Sequence, residues 1–309
     1  MLAALIGTLA IAGLAAASPQ DRSTTVFRSA VGRVTVTTMV RDQHGRPVTG
    51  LTREDFEILD GGRPQPIAEF RSELTPLTIA LLMDYSGSMA LSDRRDAARS
   101  VASDVMGWLT AQDKVGLFAF DKTLRELAPI GSHPSAVLEA LFGARPWGVT
   151  SLFDAIADTG RMLAAHAGTH RAIIALTDGG DNASNITAAR ASAIASAIDV
   201  PVYLILVSPN AGLKGVGLDA PGLDTDGLQR LSDLARWTGG QSLVATTPAR
   251  SRLVTREIVT ELRHQYVIAF APDPRPGWHG IEIRTRVKNL VVRARSGYTV
   301  ESRPDGMEQ

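Results

Sequence analysis

The chain has no cysteine among its 309 residues, so neither a disulfide nor a thiolate metal site can form. Zinc would have to rely on histidine and carboxylates, yet the six histidines form no HExxH pattern. His166 and His170, four apart, fit one face of a surface helix at least as well as a ligand pair. Charge of one sign is also missing. Lys plus Arg and Asp plus Glu each number 32, for a net charge of zero. That balance argues against a nucleic-acid partner, which calls for a basic excess. No P-loop, no GxSxG elbow and no histidine near a candidate nucleophile appears. Beyond the opening residues no apolar run reaches transmembrane length. What is present, 44% hydrophobic and 21% charged residues, suits a globular protein with a substantial core. The length allows one large domain or two modest ones.

Met1 to Ser18 is almost entirely apolar or small. Leu2 to Leu14 has the character of a secretory signal core, and Ala15-Ala16-Ala17 supplies a small-residue cleavage pattern, although no Lys or Arg precedes the run. The expectation is export, with cleavage near Ala17, to the periplasm, the cell surface or the medium. An uncleaved N-terminal anchor is the second choice. The mature chain is expected to carry no membrane span.

The rest of the chain is organised around Leu77 to Met89. Its first seven residues are nearly all apolar, as in a strand buried on both faces of a parallel sheet. The run stops at Asp84, and oxygen-bearing side chains follow at alternate positions: Asp84, Ser86 and Ser88. Gly87 allows a tight turn, and Ser88 is placed to cap a helix expected from Met89 to Leu109. A carboxylate and two hydroxyls thus stand at the carboxyl end of a buried strand, where open α/β sheets place their ligand sites. Hard cations such as Mg²⁺ take oxygen ligands in near-octahedral geometry, so further donors should come from other loops. Two stretches offer them. Gly148-Val149-Thr150-Ser151 precedes a helical segment. Ile173 to Gly180 is a second buried strand that ends in Asp178 and glycines.

Together these residues resemble the metal-ion-dependent adhesion site of von Willebrand factor type A domains, whose pattern is Asp-x-Ser-x-Ser, then a distant Thr and a distant Asp. Carried over position by position, the resemblance implies Asp84, Ser86, Ser88, Thr150 and Asp178 as ligands, with Ser151 adjacent to Thr150 and able to substitute for it. It implies Mg²⁺, or Mn²⁺ or Ca²⁺, and a protein partner whose Asp or Glu completes the metal shell. It also implies binding rather than catalysis.

The fold expected is α/β: a doubly wound, mostly parallel, Rossmann-like sheet, inserted into a small β-rich domain that the N- and C-terminal segments build together. Strands are expected at 33–41, 56–59 and 66–70, the last two joined as a hairpin across Asp60-Gly61-Gly62. Strands and helices then alternate from Pro76 to Arg263, which implies a parallel sheet. The close returns to β at 265–271, 281–287 and 291–298, and the flanks as a whole resemble a bacterial group of type A-related proteins. The layout is then a signal peptide at 1–17, an N-terminal β segment at 18–75, the type A domain at 76–263, a C-terminal β segment at 264–301 packed on the first, and a tail at 302–309. Ser208 to Thr225, long and glycine-rich, is expected at the same end of the sheet as Asp84. Two other functions compete with metal-bridged binding. One is a module whose metal only ties loops together. The other is a Mg²⁺-dependent phosphoryl-transfer or hydrolytic enzyme, which would want a second acid two residues after Asp84, where Ser86 stands.

Overall fold

The computed structural model describes residues 33–72, 74–90, 92–143, 148–166, 170–207 and 225–300. The expected signal peptide, the tail at 302–309 and the connection at 208–224 lie outside the described residues. In chain order the elements are β1 (Val34–Asp42), β2 (Phe56–Asp60), β3 (Arg63–Gln65), β4 (Ile67–Arg71), β5 (Thr78–Asp84), α1 (Ser92–Trp108), β6 (Lys114–Phe120) and β7 (Leu124–Ala128). There follow α2 (Pro134–Gly143), α3 (Leu152–Ala164), β8 (Arg171–Thr177), α4 (Ala188–Ala197), β9 (Val202–Val207), α5 (Thr225–Trp237), β10 (Ser242–Ala245) and α6 (Pro248–Arg263). The last four are β11 (Tyr266–Phe270), β12 (Gly277–Thr285), β13 (Leu290–Ala294) and β14 (Gly297–Val300). Among the described residues no helix is long and apolar enough to cross a membrane.

The central sheet runs β10-β9-β8-β5-β6-β7 and is parallel except for β7, an antiparallel edge strand on β6. β5 is buried along its whole length because helices cover both its faces. Ile79, Leu81 and Met83 enter one core with Val101 and Val105 of α1 and Val254 and Ile258 of α6. Ala80 and Leu82 enter a second core with Leu152 and Ile156 of α3 and Leu231 of α5. The near-continuous apolar run of β5 follows from this two-sided burial, since alternation would expose a polar residue to one core. From β5 the chain leaves through α1 toward β6; from β8 it leaves through α4 toward β9, on the other side of the sheet. The strand order therefore reverses between β5 and β8. The crevice at their carboxyl ends is the topological switch point.

The chain ends build two four-stranded antiparallel sheets, β13-β1-β11-β4 and β14-β12-β2-β3. N- and C-terminal strands interleave in both, with β1 between β11 and β13 and β2 against β12. Val36, Ile58, Ile268, Phe270 and Tyr298 fill the core between them. Neither flank could bury its apolar residues alone, because each sheet takes strands from both ends of the chain.

Three local expectations are corrected. The hairpin across Gly61-Gly62 returns only as far as Gln65, and β4 crosses to the other sheet to pair with β11. Pro66, which has no N–H to donate, lies between the two pairings. The closing strand at 291–298 is two strands in two different sheets. They part at Gly297, where a Cβ would run into the His279 carbonyl and the Trp278 ring. The first helix of the α/β layer starts at Ser92 rather than Met89, after a 3₁₀ turn over Gly87–Ala90. The hydroxyl of Ser88 bonds Ser86 Oγ at 3.0 Å instead of capping a helical amide.

A buried polar cluster joins the flanking sheets to the α/β layer. Glu261 of α6, 2% exposed, accepts a hydrogen bond from Tyr203 of β9 at 2.7 Å and pairs with Arg41 of β1 and Arg293 of β13. Glu257, one turn earlier, also pairs with Arg41. Removing one member of a buried ionic cluster leaves its partners uncompensated. Glu261→Ala is therefore expected to lower the unfolding free energy by about 3 kcal/mol. Urea denaturation measures it, and a loss below about 0.5 kcal/mol would show that the cluster does not hold the layers.

Candidate metal centre

Asp84 is the last residue of β5, paired across the ladder with Phe120 at the carboxyl end of the sheet. It is 2% exposed. Its Oδ1 accepts the Ser86 amide at 2.8 Å, and its Oδ2 accepts the Thr177 hydroxyl at 2.7 Å. Both donors are neutral, and among the described residues no ion pair reaches Asp84. Burial pushes its carboxyl up to about 6, against the opposing hydrogen bonds, and the nearby charge of Asp178 adds to the rise.

Three loops meet around this carboxylate. The first carries Asp84, the buried Ser86 and the exposed Ser88, with the two serine hydroxyls 3.0 Å apart. The second carries Thr150, which is buried, and is sewn to the first by the Gly87 amide donating to the Gly148 carbonyl at 2.8 Å. Gly148 holds φ at +103°, a conformation that favours glycine, and its loop is fixed on the other side by the Ser151 amide donating to the Asp121 carbonyl at 2.9 Å. The third loop follows β8. Thr177 reaches Asp84, Gly179 donates its amide to the Thr177 hydroxyl at 3.0 Å, and Asp178 stands between them. All five residues expected as ligands thus lie on three adjoining loops at the switch point.

Three further residues shape the site. Asn182 accepts the Thr150 amide through Oδ1 at 3.0 Å and returns its own amide to the Thr150 carbonyl at 3.0 Å, which fixes that backbone. Asp181 accepts the Leu152 amide at 2.9 Å and the Ser184 hydroxyl at 2.6 Å, and so holds the start of α3. Asp181 and Asn182 are turn-type residues in the sequence, and only the Asp-Asn-Ala-Ser run after Gly180 hints at this capping. Arg94, in the first turn of α1, donates to Asp178 Oδ2 at 2.6 Å. No sequence signal sets it apart from Arg95 and Arg99 on the same helix.

Among the described residues no cluster of three or more His, Cys, Asp or Glu side chains could hold a metal. A site here must draw on hydroxyls. The donors at hand are carboxylate and hydroxyl oxygens, with one buried carboxylate that lacks a counter-charge. Such a set fits a hard divalent cation that keeps part of its water. Ser151 adds a buried hydroxyl with no hydrogen-bond partner among the described residues.

Residues 79–180, a span that includes all five, match the von Willebrand factor type A domain family. The match lies within the α/β part of the chain. No curated protein matches the chain. Among solved structures, a von Willebrand factor type A protein from Catenulispora acidiphila is similar at 14% identity, with a TM-score of 0.50, over 90% of this chain and 76% of that one. Proximal thread matrix protein 1 from the mussel byssus, solved with a zinc-occupied MIDAS motif, matches at 14% identity and a TM-score of 0.50, over 65% of this chain and 50% of that one. The conserved hypothetical protein BatB from Bacteroides thetaiotaomicron matches at 22% identity and a TM-score of 0.48, over 60% of this chain and 98% of that one. At these identities the likeness extends to the fold alone.

Asp84 holds its proton more tightly in the folded protein than in the unfolded chain. Without metal, stability is therefore expected to fall as pH rises from about 4 to just above 6, by roughly 2–3 kcal/mol. Thermal unfolding in chelator across that range measures it, and Asp84→Asn should flatten the profile. A wild-type profile as flat as that of the variant would contradict the burial account.

Proposed function

We propose that this chain is a metal-dependent protein-binding module of an exported protein. Asp84, Ser86, Ser88, Thr150 and Asp178 hold Mg²⁺, or Mn²⁺ or Ca²⁺, directly or through water. The observation that carries this reading is the burial of Asp84 at a switch-point crevice with neutral hydrogen-bond partners only. A divalent cation at the site would supply the positive charge that Asp84 lacks and, nearly neutralised by the two carboxylates, would attract one more carboxylate from outside. A partner's Asp or Glu is that group. Ser88, exposed at the rim, stands where the partner approaches. Export is supported by the apolar opening of the sequence and its small-residue cleavage pattern.

Two observations favour binding over the alternatives. The hydrogen bonds of the site join hydroxyls, carboxylates, amides and one guanidinium, and among the described residues no imidazole enters them to move a proton. The three loops are already sewn together through Gly87–Gly148, Thr150–Asn182 and Thr177–Asp84. A metal is therefore not needed to tie them, which weakens a purely structural role.

Calorimetric titration with Mg²⁺ tests the ligand set. Since losing a residue that merely supports a ligand costs about 10–100-fold in affinity, Asp84→Ala or Asp178→Ala should cost at least about 100-fold. Wild-type affinity in Asp84→Ala would refute the reading.

A further inference from the structure

The two carboxylates of the site are not treated alike. Asp84 has only neutral partners, whereas Asp178 holds the Arg94 guanidinium at 2.6 Å. The pair is enclosed, with 22% of the Arg94 side chain and 10% of the Asp178 side chain exposed, so water screens it only in part. Arg94 sits in the first turn of α1, directly after the loop that carries Asp84, Ser86 and Ser88. The guanidinium therefore faces the crevice from the helix that leaves it. Asp178 is its one ion-pair partner among the described residues.

We propose that Arg94 is a built-in counter-cation of the metal centre: it satisfies Asp178 when no metal is held there and competes with a divalent ion for that carboxylate. This rests on the metal-binding reading given above. With the guanidinium on Asp178, the pair of carboxylates offers an incoming ion one net negative charge instead of two. Asp178 must exchange a charge-assisted hydrogen bond for the ion, so Arg94 lowers affinity and keeps the empty crevice stable. An ordinary stabilising ion pair would behave differently. Its removal would weaken the fold with metal or without it, and would leave affinity unchanged or reduced.

Titration with Mn²⁺, read from the electron paramagnetic resonance signal of the free ion, separates these cases. Arg94→Met should bind Mn²⁺ on the order of tenfold more tightly than wild type, the size of one charge-assisted hydrogen bond that no longer has to be exchanged. Arg94→Lys keeps the charge and should stay nearer to wild type; Arg94→Gln replaces the methionine variant if that one does not fold. Thermal unfolding gives the reciprocal readout. In chelator Arg94→Met should melt below wild type, and saturating Mn²⁺ should raise its melting temperature by more than it raises that of wild type. Unchanged or weaker Mn²⁺ binding in Arg94→Met, with Asp84→Ala still abolishing binding, overturns the role of Arg94 and leaves the metal site standing. Mn²⁺ binding in Asp84→Ala equal to that of wild type overturns the metal site itself, whatever Arg94 does.

Discussion

A carboxylate held out of water at the end of a strand buried along its whole length sets the terms for the rest of the molecule. An uncompensated buried charge is expensive, and proteins respond by protonating the group or pairing it. At Asp84 the fold supplies a hydroxyl from Thr177 and an amide from Ser86, neither of which carries charge. Its carboxyl accordingly rises to about 6. A hydrophobic residue at this position would pack between the two cores without such a cost. Retaining the carboxylate makes sense if a cation completes the arrangement, and the surrounding oxygens are of the kind a hard cation takes.

The central sheet places that carboxylate through simple rules. β5 lies between β6 and β8 with helices above and below, so each apolar side chain before Asp84 is committed to one core or the other. The connections from β5 and β8 diverge to opposite sides, which opens the crevice where Asp84 ends β5 and Asp178 follows β8. The flanking sheets contribute anchorage. Arg41 and Arg293 reach from β1 and β13 to α6, and Asp199, after α4, accepts the amide of Thr37 at 3.0 Å and its hydroxyl at 2.6 Å. α6 packs in the same core as α1, the helix that bears Arg94.

Much of this was legible in the sequence because it depends on local pattern. The apolar run of β5, its stop at Asp84 and the alternation of strand and helix all follow from burial periodicity. So does the β-rich character of both ends. Other features depend on tertiary placement and leave no such trace. The arm expected at 66–70 does not return along β2, since the strand it joins is β11, some two hundred residues away in sequence, and residues 63–65 take its place in the hairpin. β13 ends at Ala294 and β14 begins at Gly297 for the same kind of reason, a close approach of the His279 carbonyl to Gly297. Arg94, Arg95 and Arg99 read together as a solvated helix face, and only the packed helix shows which of them turns toward Asp178. Asn182 looks like a turn residue until the Thr150 backbone is seen against it.

The central claim concerns where a single ion sits, and anomalous scattering from crystals grown in Mn²⁺ addresses it most directly. The account predicts one strong peak in the crevice at the carboxyl ends of β5 and β8, among the side-chain oxygens of Asp84, Ser86, Ser88, Thr150 and Asp178. No peak in that crevice at saturating Mn²⁺, with Arg94 still seated on Asp178, would contradict it.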